Sequence, residues 1–325
     1  MQRTALGGTR VAVTRLGLGC APLAGLYTAV DERQARGTID AAWEQGVRVF
    51  DTAPHYGAGL SERRVGAALR ARPRPELVLC TKVGRLLVAP RGGAPDAHMF
   101  EGAPRLERRF DFSRDGVLRS LEQSLERLGL ERVDVVHVHD PDEHLDQAIA
   151  EALPALMELR EQGVIGAVGA GMNHAQPLAR IVREADVDCV LVAGRYTLLD
   201  QSAGPVLLDP CAERGVSVIA AAVFNSGILI DPGPTARYDY RPADEGLRRR
   251  ARRIAEVCGG YGVTLPAAAL AFPLRHPAVA CVVAGARSPE EMEANARDAG
   301  AGVPATLWEE LDALGLVPQA AASAR

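Results

Sequence analysis

Asp51, Tyr56, Lys82 and His139 are the residue types that together exchange a proton with a carbonyl or hydroxyl oxygen, and their places along the chain follow a pattern. Three of them close short apolar runs: Asp51 ends 47–51, Lys82 ends 77–82 and His139 ends 133–139. Tyr56 comes five residues after Asp51, in a segment marked as a turn by Pro54 and Gly57. As neighbouring strands about 4.8 Å apart, these runs would bring the four groups onto one patch. A tyrosine with its ordinary pKa of about 10 is a poor base near neutrality. An adjacent ammonium favours the phenolate, and a carboxylate holds the ammonium in place. A neighbouring imidazole donates a hydrogen bond to the substrate oxygen. Singly, each residue has a plainer role. A strand-end Asp caps a helix, a loop Tyr packs, a lone Lys is solvated and a His in an apolar strand sits in the core. Their joint placement argues for catalysis.

The elements that must hold them are legible. Eight apolar runs recur, at 16–21, 47–51, 77–82, 133–139, 165–169, 189–193, 216–221 and 279–284, and none alternates strictly with polar residues. Such runs fit strands buried on both faces of a parallel sheet. Helical stretches lie between them. Ser113 precedes one whose Val117, Leu118, Leu121, Leu125 and Leu128 share a face, and Asp146 opens another that carries Ile149, Leu153, Leu156 and Leu159 and ends at Gly163. Strand and helix alternating without a composition break predict an α/β chain folded as a single (β/α)8 TIM barrel over 1–325. A doubly wound sheet is the competitor, but Gly17-Leu18-Gly19 runs into Cys20-Ala21-Pro22, and Gly57-Ala58-Gly59 lacks a third glycine. At the N-terminus, 4–6 and 11–13 flank Gly7-Gly8-Thr9 and predict a β-hairpin that plugs the barrel floor. Two connections, 83–112 after the third strand and 224–244 after the seventh, are long enough to be functional. Both leave the carboxyl ends of strands, where barrel enzymes keep their active sites.

Composition narrows the classes further. Of 37 Lys and Arg residues, Lys82 is the one lysine, and 41 acidic residues leave a net charge of −4. No positive excess is present to replace phosphate counterions, which excludes an electrostatic nucleic-acid binder. No apolar run approaches the roughly 20 residues of a bilayer span, and no basic segment with an apolar stretch opens the chain, so a cytoplasmic protein with no membrane partner is expected. Six cysteines show neither C-x-x-C nor metal-type spacing and are expected as buried free thiols in a reducing compartment. Clustered Arg248, Arg249, Arg250, Arg252 and Arg253 read as a solvated helix face, while Arg105, Arg108 and Arg109 either touch substrate or form salt bridges.

Phe50-Asp51-Thr52-Ala53-Pro54-His55-Tyr56-Gly57, with Ser61-Glu62-Arg63 and Val65-Gly66 behind it, resembles the signature of the aldo-keto reductases. Thr81-Lys82-Val83-Gly84 and the segment from Asp134 through His137-Val138-His139-Asp140-Pro141 are similar to that family's next two motifs, and the likeness runs from Leu16 to Asn295. Gly17 to Leu23, His139-Asp140-Pro141-Asp142 and Phe224-Asn225-Ser226-Gly227-Ile228-Leu229 resemble its aldose dehydrogenase branch, with a pyridoxal dehydrogenase branch also similar. The resemblance implies that Tyr56 is the acid–base, that Lys82 and Asp51 tune it, and that His139 orients the reacting oxygen, with His137 a buried support. It implies a small-molecule substrate, an L-fucose-like aldose oxidised at C1 to the lactone. Pyridoxal 4-dehydrogenase and general aldehyde or ketone reductase are the alternatives within the enzyme class.

The implied cofactor is NAD, with NADP possible, and the implied contacts are Gly19, Cys20, Asp51, Met172, Asn173, Phe224, Asn225, Ser226, Gly227, Gly285, Ala286, Arg287, Glu291 and Asn295. After the eighth run, Ser288 is a good N-cap, Pro289 suits the first helical position and Glu291 completes a capping-box pattern. A helix N-terminus beside Arg287 is a ready phosphate site. Glu291 falls near an arginine of NADP-preferring members, and an acid there repels a 2′-phosphate. Gly171-Met172-Asn173 replaces the family's usual Ser-Asn, and Ala221 replaces its stacking aromatic. Two rivals lie outside this class. The H-x-H spacing of His137 and His139 suggests a metal-dependent barrel hydrolase, whereas no metal is expected here. A non-catalytic, cofactor-binding regulatory subunit is the other, against which the intact set of Asp51, Tyr56, Lys82 and His139 speaks.

Overall fold

The computed structural model describes residues 1–92 and 99–317. Eight strands form a closed barrel: β1 (Leu16–Gly19), β2 (Val49–Asp51), β3 (Val78–Val83), β4 (Val135–His139), β5 (Ala167–Met172), β6 (Cys189–Ala193), β7 (Ser217–Ala221) and β8 (Val279–Gly285). Each pairs in parallel with the strand that follows it in the chain, and β8 closes on β1. This is the expected (β/α)8 architecture. The absence of polar alternation is explained by apolar layers on both faces. Val49, Val78, Cys80, Val135, Cys189, Leu191, Ile219 and Cys281 fill the interior. Their neighbours Phe50, Leu79, Val136, Val190 and Val282 pack outward among the helices.

β5 departs from expectation, running three residues past the expected end at Gly169. Gly169 and Gly171 both lie in the strand, where a side chain at Gly169 would meet the Cys189 carbonyl oxygen at 2.2 Å and the His137 ring at 3.0 Å. Glycine there makes room for bulky neighbours. The floor is closed as predicted: Arg3–Ala5 pairs antiparallel with Ala12–Thr14, and Leu6 and Val13, both fully buried, join the interior cluster. All six cysteines are buried and unpaired.

Both long connections carry structure that their sequences do not announce. Arg85–Val88 pairs with Glu107–Phe110 after β3, and Arg237–Tyr238 with Arg241–Pro242 after β7. Residues 93–98 of the first connection lie outside the described residues.

Helix Arg114–Leu128 is capped by the Ser113 hydroxyl and ends at Gly129 in the left-handed region. Its buried face is Val117, Leu121 and Leu128 with the small Ser120 and Ser124, which leaves Leu118 and Leu125 partly exposed. That face is narrow because helix Leu60–Leu69 packs close: a Cβ on Gly66 would overlap the Leu128 carbonyl oxygen at 1.8 Å. The next helical stretch begins at Leu145, and the Asp146 carboxylate pairs with Arg180 at 2.7 Å instead of capping it. Its middle turn, Ala148–Ala152, widens to π geometry just before Pro154, which has no N–H to give to the regular ladder. Arg248, Arg252 and Arg253 pair with Glu245 and Glu256 along their own helix, as a solvated face should. No single helix among the described residues is long and apolar enough to cross a membrane.

Candidate active site

Lys82 is the centre of the site. It is the penultimate residue of β3, a strand whose every residue is buried, and its side chain is 1% exposed. The ammonium donates to Asp51 Oδ1 at 2.9 Å, Asp51 Oδ2 at 2.7 Å and the Thr52 carbonyl at 2.9 Å. All three N–H bonds are therefore engaged. Burial pulls the amine towards its neutral form, but Asp51 and the hydrogen bonds outweigh it and hold its pKa above the ordinary value. Burial equally pushes the Asp51 carboxyl up against the pull of Lys82. Three acceptors around one amine decide between these tendencies in favour of an ion pair.

Above the pair lies Tyr56, with Lys82 Nζ 4.7 Å from its ring centroid. The turn that carries it is positioned from both sides. Gly57 approaches so near that a Cβ would lie 2.7 Å from Ala24 Cβ. Helix Leu60–Leu69, which follows, is fastened to the barrel by polar groups from the Ser61-Glu62-Arg63 motif. The Thr52 hydroxyl donates to Ser61 Oγ, and Ser61 Oγ donates to the Cys20 carbonyl. Glu62, fully buried, accepts from the Thr81 hydroxyl at 2.8 Å and from Arg127 at 2.6 Å. Tyr56 is thus fixed relative to β1, β2 and β3 together. Burial pushes its phenol up to about 12, with Lys82 opposing. The expected lowering by the ammonium is present, but in this state burial is larger.

His139 completes the group, its ring 6.0 Å from that of Tyr56 and perpendicular to it. Burial and the cations Arg85 and Lys82 hold its pKa well below the ordinary value, so the imidazole is neutral. Nδ1 is buried without a hydrogen-bond partner, while Nε2 lies 3.6 Å from the Asp140 carboxylate. With Nδ1 enclosed, Nε2 is the ring nitrogen left to meet a substrate oxygen. His137 sits one layer deeper, neutral with its pKa pushed down to about 3, its Nε2 3.6 Å from Cys189 Sγ. Among the described residues no group of three His, Cys, Asp or Glu side chains converges as a metal site would require.

The residues expected to hold the cofactor divide into several kinds. Gly19 and Gly285 lie side by side at the ends of β1 and β8, in register with Asp51. They leave a stretch of backbone free of side chains next to the reacting group. Asn225 is buried, its Nδ2 donating to the Gly194 carbonyl at 3.3 Å and its Oδ1 left without a partner. An orphan acceptor and a stretch of backbone free of side chains fit a flat nucleotide that carries amide and hydroxyl donors. Ser226 and Gly227 follow with φ of 60° and 99°, and Ser226 Oγ accepts the amide of Tyr240 at 3.1 Å. The Asn173 side chain lies against the Tyr240 hydroxyl. Cys20, Met172, Phe224 and Ala286 pack into the layer between sheet and helices, which leaves their backbones to face a ligand. Asn295 donates to the Gly285 carbonyl at 3.1 Å and steadies that turn.

The helix after β8, Pro289–Gly300, is capped by Ser288 as expected, but the capping box is displaced. Glu291 Oε2 accepts from the Arg287 amide at 2.8 Å, not from Ser288, and Oε1 takes the Arg287 guanidinium at 3.0 Å. Arg287 is followed by the extended Ser288, which aims its amide down the first turn where the glutamate reaches it. A carboxylate therefore sits where an anionic ligand group would bind.

Sequence reasoning missed the walls of the site. Phe100 packs over His55 and Tyr56, with ring centroids 5.7 and 6.3 Å away. Tyr27 meets Tyr240 at 6.4 Å. Of the arginines left between substrate contact and salt bridges, Arg108 donates to the His55 carbonyl. Arg85 forms an ion pair with Asp140. Asp140 stood in the quoted motif, and its place beside a strand-end histidine was the available signal.

Comparison with known proteins agrees with this geometry. The sequence profile described as the Aldo/keto reductase family matches residues 15–315. The chain is 44% identical to a D-threo-aldose 1-dehydrogenase of Pseudomonas sp, over 95% of this chain and 96% of that one. It is 39% identical to a pyridoxal 4-dehydrogenase of Microbacterium luteolum, over 97% and 98%. A solved aldo-keto reductase from Bacillus halodurans in its holo form superposes with a TM-score of 0.76 at 27% identity, covering 100% and 99% of the two chains.

Proposed function

The chain belongs to the aldo/keto reductase family and is an oxidoreductase with a nicotinamide cofactor, and from that premise we propose that it oxidises an aldose at C1 to the lactone, with NAD as the preferred acceptor. The observation that carries this reading is the buried Asp51–Lys82 pair beneath Tyr56, with a neutral His139 at its side. The nicotinamide, when bound, takes the hydride from C1. Tyr56 removes the proton of the anomeric hydroxyl, and Lys82 stabilises the phenolate this requires. Asp51 keeps the ammonium in register. His139 donates from Nε2 to the same oxygen and fixes its orientation. Gly19, Gly285 and the Asn225 acceptor would line this cofactor, and Arg287 with Glu291 would face its adenosine end. The 44% identity to a D-threo-aldose 1-dehydrogenase supports an aldose. Oxidation of the pyridoxal aldehyde is the second reading, favoured by the aromatic walls of Tyr27, Phe100 and Tyr240 and by the 39% identical relative.

A panel of L-fucose, D-arabinose, L-galactose, pyridoxal and simple aldehydes, read at the nicotinamide absorbance with NAD and NADP, tests the assignment. Reduced cofactor formed with an aldose is expected. Its absence with every aldose overturns the substrate.

Two further results are expected. A phenol held at about 12 is almost wholly protonated at pH 7, and oxidation requires the unprotonated form. The kcat/KM for oxidation should therefore rise about tenfold per pH unit above neutrality, while aldehyde reduction, which needs the protonated form, stays flat. A flat oxidation profile between pH 7 and 9 contradicts Tyr56 as the base. Glu291→Ala removes the acceptor of both the guanidinium and the amide of Arg287, and should lower KM for NADP about tenfold relative to NAD. Unaltered cofactor preference in steady-state kinetics removes Glu291 as the selector.

A further inference from the structure

Asp140 follows His139 at the carboxyl end of β4 and adopts φ +42°, a conformation that side chains other than glycine rarely take. Its amide donates to the Gly171 carbonyl at 3.0 Å, so the end of β5 holds the strained turn in place. That turn brings Oδ2 to 3.6 Å from His139 Nε2, beyond hydrogen-bond length and beside the atom that meets the reacting oxygen. The same oxygen accepts the guanidinium of Arg85, which arrives on the ribbon Arg85–Val88. Neither side chain is sealed: Arg85 is 12% exposed and Asp140 26%. An ion pair needed only to fasten the ribbon would require neither the strained backbone nor a place against Nε2.

We propose that Asp140 and Arg85 form the subsite for the hydroxyl on the carbon next to the reacting one, an inference that rests on the aldose reading above. With the anomeric oxygen held by Tyr56 and His139, the neighbouring hydroxyl of an aldose lies within about one hydrogen-bond length of it, roughly 2.9 Å. Asp140 is offset from Nε2 by a comparable distance, and so lies beneath that second hydroxyl. The carboxylate accepts its proton and Arg85 donates to its oxygen, each bond charge-assisted. Burial pushes the Asp140 carboxyl above its ordinary range, and Arg85 opposes that rise. A substrate without this hydroxyl leaves the charged pair desolvated and unmatched, and sites of this kind discriminate strongly against such analogues.

The test compares D-arabinose with 2-deoxy-D-ribose, the same pentose lacking the 2-hydroxyl, and with butanal reduction as a third substrate. The pair is replaced by the fastest aldose of the panel and its 2-deoxy form if another aldose is better. Wild-type protein should prefer the hydroxylated sugar by about 10²-fold in kcat/KM. Asp140→Asn should bring that ratio near unity through loss on D-arabinose, with the 2-deoxy sugar and butanal affected by no more than about threefold. Arg85→Gln should collapse the ratio in the same way. Equal loss on all three substrates would show Asp140 acting through His139, and no loss would show a mere fastener of the ribbon; either overturns the inference. Aldose oxidation by the wild type without preference for the 2-hydroxyl overturns the inference alone. Butanal reduction with no aldose oxidised overturns the aldose reading and the inference with it.

Discussion

Tyr56→Phe should reduce kcat/KM about 10³- to 10⁴-fold for every substrate and in both directions, the range a positioned acid–base contributes. The substitution removes one oxygen and leaves the ring that packs against Phe100, His55 and His139 at 6.3, 6.3 and 6.0 Å. Lys82 does not depend on the phenol for its hydrogen bonds, since Asp51 and Thr52 supply three acceptors. Unfolding free energy should accordingly change by less than about 1 kcal/mol, and the protein should still bind its cofactor. Wild-type turnover in this variant would remove Tyr56 from the reaction. A collapse of folding would mean that the contact of the hydroxyl with Lys82 carries the fold as well as the chemistry.

Lys82→Met should be inactive and also markedly unstable. Methionine matches the length of the stem and deletes the charge, which strands the Asp51 carboxylate, itself 6% exposed, without its cation. Breaking a buried pair from one side costs about 3–5 kcal/mol. Asp51→Asn combined with Lys82→Met removes both charges and should recover most of that stability while remaining inactive, because nothing then favours the phenolate. Denaturant unfolding and single-turnover kinetics on the three proteins separate the two roles. Activity in either variant would exclude the ammonium from catalysis. A double variant as unstable as the single one would mean that the pair is not the source of the strain. Lys82→Arg is the subtler probe: a planar guanidinium cannot place three donors on Asp51 and Thr52 as a compact ammonium does, and its activity should be largely lost.

Much of this was legible in the sequence, for physical reasons. Strands buried on both faces leave uninterrupted apolar runs, and a barrel puts the residue that ends each run at one rim. Asp51, Lys82 and His139 could therefore be placed from the pattern alone. What escaped depends on contacts distant in sequence or on direction. The Arg85–Asp140 pair joins residues far apart through a ribbon of mixed, arginine-rich composition with no strand-like run. β5 reads too short in the sequence because Gly169 and Gly171 add no side chain to its apolar run, the space at Gly169 being taken by Cys189 and His137. The inward or outward aim of Cys20 and Met172 follows from strand parity, which shifts with the exact residue at which β1 and β5 end. Glu291 met the sequence rule for a capping box, yet its bond went one residue earlier, to Arg287, whose guanidinium drew the carboxylate.

The solitary lysine has a consequence for the molecule's encounter with its own substrates. Open-chain sugars and other aldehydes condense with free amines, and a surface rich in lysine accumulates such adducts during every exposure. Here 36 of the 37 basic residues are arginines, and the one side-chain amine lies 1% exposed inside the barrel, protonated and engaged by three acceptors. Apart from its α-amino group, the protein presents no side-chain amine to the solution. A catalyst built this way offers Schiff-base formation no side chain anywhere on its exterior. It also gives amine-directed dyes, cross-linkers and immobilisation resins almost nothing to hold.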